Sequence, residues 1–176
     1  MVVAERVGAR PAPDIAEIRT PDGGAREFPT YGLRVGQFIE EYCCFTKGKY
    51  RGRPFHLEEW QWQLLAEVFE VVPDDALGWR RKYREAYIEI PKKNGKTELI
   101  ASIDLYLLVA DFEESPEIAC AANSDKQADL VFGAARSMVQ LGAQSRAGQR
   151  GAVHLGMLVE IFNTELVLKE NPAAKI

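Results

Sequence analysis

The sequence predicts an α/β fold, a parallel sheet flanked by helices. Three observations carry that expectation. A short β-type run, Ala86-Tyr87-Ile88-Glu89-Ile90, stops at Pro91 and is followed from about Lys96 by an apolar helix. A second run, Glu117-Ile118-Ala119-Cys120-Ala121-Ala122, leads into another helix in the same way. Strand, loop, helix, strand, helix, strand is then the order along the chain. That is the alternation of a parallel sheet, whose neighbouring strands are joined by crossover helices.

Each element has its own signal. Residues 1–30 contain Pro11, Pro13, Pro21 and Pro29, which break any periodic pattern, and are expected to form an irregular N-terminal arm. Between 33 and about 45, Val35, Phe38, Ile39 and the group Cys43, Cys44 and Phe45 recur at helical spacing, and Gly48 can end that helix. A loop with Lys47, Lys49, Arg51 and Arg53 follows. Pro54 and Phe55 lead into a helix over about 58–69 that carries Trp60, Leu64, Leu65 and Val68, with Pro73, Asp74 and Asp75 beyond it.

The helix after Lys96 is apolar nearly all round, through Leu99, Ile100, Ile103, Leu105, Leu107, Leu108 and Val109. Asp104 is the one charge in its middle, and a helix of this kind is largely buried. Asn123-Ser124-Asp125 offers an N-cap to a helix with Ala128, Leu130, Val131, Ala134, Ala135 and Met138. Residues 142–151 read as a polar loop with Arg146 and Arg150. Residues 157–162 and 165–168 read as two strands joined at Asn163-Thr164 in a hairpin.

Composition narrows the function classes. With 176 residues, 47% of them hydrophobic and 27% charged, the chain can bury a core of ordinary domain size and is not a disordered segment. A net charge of −4 gives the whole chain no attraction for nucleic acid, so such a partner would be met by a local patch. No apolar run approaches the roughly 18 to 20 residues of a membrane span, so no membrane partner is expected. The N-terminus, Met1-Val2-Val3-Ala4-Glu5-Arg6, lacks the basic-then-apolar pattern of a secretory signal. Cys43, Cys44 and Cys120 match no disulfide or zinc spacing and are expected to be reduced cysteines of a cytoplasmic protein.

The chemistry concentrates in Pro91-Lys92-Lys93-Asn94-Gly95-Lys96-Thr97. A phosphate-binding loop needs a glycine where the backbone turns tightly round an oxyanion. It also needs amide N–H groups and a helix N-terminus aimed inward. A lysine must reach the β and γ phosphates of a nucleotide, and a hydroxyl must follow it to hold Mg²⁺. Gly95, Lys96 and Thr97 are those residues, placed between a β-type run and a helix. The first glycine of the G-x-x-x-x-G-K-[ST] pattern is replaced by Ile90, however. A basic, solvated turn between a strand and a helix is the alternative for these residues.

The run from Ile90 to Thr97 resembles the variant phosphate loop of tailed-phage terminase large subunits, the motors that pump DNA into procapsids. In that family the first glycine is often missing and a Pro-basic-basic-Asn-Gly-Lys-Ser/Thr run stands there. Upstream, the run from Lys47 to Leu57 followed by Trp60-Gln61 is similar to the family's segment before the loop. Downstream, Ala121-Ala122-Asn123-Ser124 with Gln127, Ala128 and Phe132 resembles its next strand–helix unit. The resemblance covers about residues 33 to 140.

The resemblance implies a P-loop NTPase-type sheet, incomplete at the C-terminus, over residues 31–176. It implies ATP and Mg²⁺ as cofactors. Lys96 would neutralise the β and γ phosphates, and Lys92 or Lys93 would add charge at the γ-phosphate for hydrolysis. Thr97 would ligate Mg²⁺, and Pro91 and Asn94 would complete the phosphate loop. Trp60 and Gln61 would lie at the adenine. From the residues alone, Trp60 could instead be helix core and Gln61 an exposed helix residue.

The implied partners are double-stranded DNA, a small terminase subunit, a portal and further copies in a ring, in the cytoplasm of a bacterial host. The family's acidic Asp-Glu pair after an apolar strand, and its C-terminal nuclease, are not among these residues. The chain is therefore expected to be a fragment, from a cut or a prophage remnant, that binds ATP without appreciable turnover. A helicase-like ATPase piece and a non-catalytic assembly module are the alternatives.

Overall fold

In the hairpin of β1 (Asp14–Arg19) and β2 (Ala25–Thr30), the alternation of the two strands turns Ala16, Ile18 and Phe28 inward and leaves Ile15 in solvent. The computed structural model describes residues 10–20, 22–144 and 155–176, and backbone only for 142–144. The hairpin replaces the irregular chain expected over residues 14–30, and residues 1–9 of the expected arm lie outside the described residues. Pro11 and Pro13 precede β1, Pro29 lies within β2 opposite Ile15 near the strand's end, and Pro21 lies outside the described residues. A turn at Thr20–Gly24, closed by Gly23 N–H to Thr20 O at 2.9 Å, sets the register Asp14↔Thr30 to Arg19↔Ala25.

After the hairpin come α1 (Gly32–Tyr42), a 3₁₀ turn (Gly48–Tyr50), α2 (Glu59–Val68), β3 (Val71–Asp74) and β4 (Gly78–Arg81). They are followed by α3 (Lys96–Val109), α4 (Asp125–Gln144), β5 (Val159–Ile161), β6 (Leu166–Leu168) and β7 (Asn171–Lys175). The fold is mixed α/β. The described residues divide into two compact units, one of residues 38–56 with 90–144 and 155–176 and the other of residues 10–20 and 22–37 with 57–89.

In the second of these units, β1–β2 and α2 share a core of Ala16, Ile18, Phe28 and Ala66, and the antiparallel β3–β4 hairpin lies beside β2. Gly32 comes so close to α2 that an added Cβ would stand 2.2 Å from the Leu65 carbonyl oxygen, so only glycine fits. Glu70 links the hairpins. Its buried carboxylate accepts from Lys82 Nζ at 2.8 Å and from Arg26 Nη1 at 3.1 Å. Burial pushes its pKa up, but the hydrogen bonds from Lys82 and Arg26 outweigh that and hold it below the ordinary glutamate value.

In the other unit α3 packs on α4. Leu99, Ala101, Leu105, Leu108 and Val109 of α3 are buried, as are Ala134, Ala135, Met138 and Val139 of α4. This is the buried apolar helix that the composition of α3 predicts. Phe38 meets Tyr106 edge-on at 5.5 Å, which ties the end of α1 to the same core. All three cysteines are free, and burial pushes the Cys43 thiol up to about 12.

The expected hairpin at Asn163-Thr164 is present as β5–β6, though Met157 and Leu158, expected in its first strand, are helical, and β7 adds a third antiparallel strand that its composition, Asn-Pro-Ala-Ala-Lys, does not suggest.

The expected parallel sheet is not formed by the described residues. Their ladders are all antiparallel, and the parallel pairing is a single bridge, Glu117↔Lys175. Residues 86–90 pair with no strand among the described residues, and Tyr87 is 93% exposed. The reason is that β-propensity measures fit to a pleated, half-buried surface, and no neighbour supplies that surface. Of the expected 142–151 loop, residues 142–144 continue α4 and residues 145–151, with Arg146 and Arg150, lie outside the described residues.

Candidate functional site

Residues 91–95 turn the chain into α3, and the backbone there is unusual. Lys93 has φ +73°, the one left-handed residue other than glycine among the described residues, and Gly95 has φ +68°. Nothing lies within 4 Å of a Cβ built on Gly95, so the backbone angle, and not crowding, calls for glycine at this position. Gly95 is the N-cap of α3, and no side chain caps the helix. Its carbonyl accepts from Leu99 N at 3.0 Å, which starts the helix. The amides of Lys96, Thr97 and Glu98 therefore form the first turn at the positive end of a 14-residue helix.

Pro91, Lys92, Lys93, Asn94 and Lys96 are exposed, and Gly95 and Thr97 are half-buried. Three lysines, a hydroxyl and an uncapped helix N-terminus thus converge on one turn. This arrangement suits a multiply charged oxyanion.

The turn is braced from below. Thr46, only 4% exposed, donates from Oγ1 to Glu98 Oε1 at 3.1 Å, and Ser102 Oγ donates to Glu98 O at 2.8 Å. Sequence reasoning missed Thr46, because nothing in its local pattern marks it. Further along α3, Asp104 is buried and accepts a weak hydrogen bond from Cys120 Sγ at 3.8 Å. Burial raises the Asp104 carboxyl to about 6, with the Cys120 bond opposing, and burial raises the Cys120 thiol to about 11.

Trp60 and Gln61 sit in the other compact unit, at the start of α2. Trp60 is 41% exposed and Gln61 only 3% exposed, so neither the helix-core reading of Trp60 nor the exposed reading of Gln61 holds. Gln61 forms a capping box with Glu58: its Oε1 accepts from Glu58 N at 2.8 Å. The Glu58-x-x-Gln61 spacing is the signal that could have revealed this. The acidic residues Asp74 and Asp75 offer no catalytic pair. Asp74 caps the β3–β4 turn through the amides of Ala76 and Leu77 and pairs with Arg80 at 3.5 Å.

Among the described residues no helix is long and apolar enough to cross a membrane. No solved structure matches the chain significantly. A relative from Enterobacteria phage HK97, named as the large subunit of terminase, is 37% identical over 113 residues. That stretch covers 64% of this chain and 21% of the relative, so the chain spans about a fifth of that protein's length. The sequence profile of the terminase large subunit ATPase domain matches residues 66–153, half of the chain, and takes in the loop, α3 and α4. The chain belongs to the terminase large subunit ATPase family.

Proposed function

We propose that residues 91–97 bind the polyphosphate of ATP with Mg²⁺, as the nucleotide site of a motor that couples ATP hydrolysis to DNA packaging. The observation that supports this most is the uncapped N-terminus of α3, entered through left-handed Lys93 and Gly95, with Lys96 and Thr97 in its first turn. The residues fit the ligand. Lys96 would lie between the β and γ phosphates, and Lys92 or Lys93 at the γ-phosphate. The loop amides of Pro91-Lys92-Lys93-Asn94-Gly95 would accommodate the remaining oxygens, apart from Pro91, which has no N–H. Thr97 would hold Mg²⁺ through its hydroxyl, and when bound that ion neutralises charge developing on the transferred phosphoryl group.

Trp60 and Gln61 are assigned to the adenine on the family resemblance. The exposed Trp60 ring could stack on a base, and the Gln61 amide NH₂ is not the group that Glu58 uses. In the whole protein we place double-stranded DNA, a small terminase subunit, a portal and a homo-oligomeric ring as partners, in the host cytoplasm. A nuclease domain would lie elsewhere in that protein. Residues 86–90 and 117–122 would belong to the parallel sheet of a P-loop domain, which would account for the exposed Tyr87 and Ile88.

Titration of ATP with Mg²⁺ into the wild type and Lys96→Ala tests the central claim. A charge-assisted hydrogen bond contributes about 1.5 to 3 kcal/mol, so the variant should bind about 10- to 100-fold more weakly. Equal affinity for both proteins would refute the assignment. Absence of ATP binding by the wild type would favour a non-catalytic assembly module.

A further inference from the structure

Two runs of basic residues stand out in the sequence, and the structure sorts them. In residues 80–82 the charges are taken up internally, while Arg84 is exposed. Arg80 pairs with Asp74 at 3.5 Å, Lys82 pairs with Glu70 at 2.8 Å, and Arg81 lies 5.2 Å over the Phe69 ring. In residues 47–53 they are not. Lys47, Lys49, Arg51 and Arg53 are all exposed, and among the described residues none of the four takes part in an ion pair.

This loop is also ordered by its own hydrogen bonds. Phe45 N–H donates to Arg53 O at 3.0 Å, Gly52 N–H to Phe45 O at 2.8 Å, and Arg53 N–H to Tyr50 O at 2.8 Å. Gly48 and Gly52, at φ +68° and +80°, make the two left-handed turns that fold it back. Tyr50, 46% exposed, stands between the cations, with Lys49 Nζ at 4.8 Å and the Arg53 guanidinium at 5.8 Å from its ring. Phe45 and Phe55 anchor the base at 4.8 Å. The ordering cost of four long side chains on a flexible loop is thereby reduced before any partner arrives.

The loop joins the nucleotide site through one residue. Thr46, immediately before Lys47, is the side chain that holds Glu98 in the first turn of α3. In a chain with a net charge of −4, four exposed cations without an ion pair among the described residues are a local exception.

The geometry points to the 47–53 loop as a contact for the phosphate backbone of duplex DNA, fastened to the nucleotide-binding turn through Thr46 and Glu98. It rests on the nucleotide-site reading above and adds the surface that meets the polymer. Phosphate contacts of this kind position a duplex without reading its sequence. That suits a surface of lysine and arginine ends with a single aromatic ring. The other source of phosphate is the nucleotide itself, and the test separates the two.

The experiment measures fluorescence anisotropy of a labelled duplex of mixed sequence with the 176-residue chain, at rising salt, and nucleotide titration on the same preparations. If each of the four cations engages one phosphate, raising salt from about 50 to about 200 mM lowers affinity on the order of 100-fold. The variant K47Q/K49Q/R51Q/R53Q should lose most of the duplex affinity and most of the salt dependence, while it keeps wild-type affinity for ATP. Retained ATP binding also shows that the variant is folded. Single variants should each reduce the salt slope by about one phosphate contact.

Undiminished duplex binding by the quadruple variant overturns the proposal. So does ATP binding by a wild type that ignores duplex, an outcome that leaves the nucleotide site standing. Displacement of the duplex by inorganic triphosphate without base or ribose, at concentrations that saturate the loop, would assign the cations to the nucleotide and also overturn it. Loss of ATP binding in Lys96→Ala with duplex affinity unchanged supports two separate sites.

Discussion

Asp104 makes a charge-linked prediction that can be worked through from the structure. It is the one charge within the apolar middle of α3, it is 9% exposed, and its recorded partner is the weakly donating Cys120 thiol. Burial raises its pKa from 3.8 to about 6. The folded state therefore prefers the neutral carboxyl and binds a proton more tightly than the unfolded chain does. The stability linked to that proton is fully present below pH 3.8 and is lost as pH rises to about 6 and beyond. At about 1.4 kcal/mol per tenfold change in proton binding, the rise from 3.8 to about 6 corresponds to about 3 kcal/mol.

Asp104→Asn keeps the shape and an acceptor for Cys120 but removes the titration. Urea unfolding of both proteins across pH 4 to 8 is the assay. The variant should gain on the wild type steadily through pH 5 and 6, and lead by about 3 kcal/mol at neutral pH and above. Other titrating groups are common to both proteins and cancel in the difference. A difference that stays constant across this range would refute the reasoning and mean that Asp104 is solvated as an ion.

Three further outcomes are expected. Gly32→Ala places a methyl 2.2 Å from the Leu65 carbonyl, a backbone atom that cannot turn aside, so the urea midpoint should fall by an amount equivalent to about 3 kcal/mol; an unchanged midpoint would mean that α1 and α2 can separate freely. Gln61→Ala removes the amide NH₂ at a modest cost to the capping box, and should weaken ATP about tenfold, with inorganic triphosphate affected far less. Equal weakening of the two ligands would remove Gln61 from the adenine. We propose that the 176-residue chain assayed alone binds ATP with little turnover; phosphate release on the order of 1 per second, abolished in Lys96→Ala, would show that one of its own carboxylates positions the attacking water.

What the sequence determined by itself is local. The helical spacing in α1, α2, α3 and α4, the break at Pro91, and the glycine before Lys96 are all legible, because a helix satisfies its hydrogen bonds within its own segment. A left-handed turn likewise selects glycine wherever it occurs. The hairpin at Asn163-Thr164 is legible for the same reason, since its strands are neighbours in the chain.

Only the tertiary structure decided the rest. Whether residues 86–90 join a sheet depends on a partner distant in sequence, and among the described residues they have none. Trp60 and Gln61 exchange the burial their chemistry suggests, because the hydrogen bond at the start of α2 draws the amide in and leaves the indole out. Thr46 carries no sequence signal, yet it braces the first turn of α3 across 52 positions. The two basic runs look alike as text. They differ because Glu70 and Asp74 lie beside one of them, while in the other Lys49 and Arg53 stand over an uncharged tyrosine ring. Both acids are within a dozen residues of the cations they pair with, and it is the register of the β3–β4 hairpin that turns them toward each other.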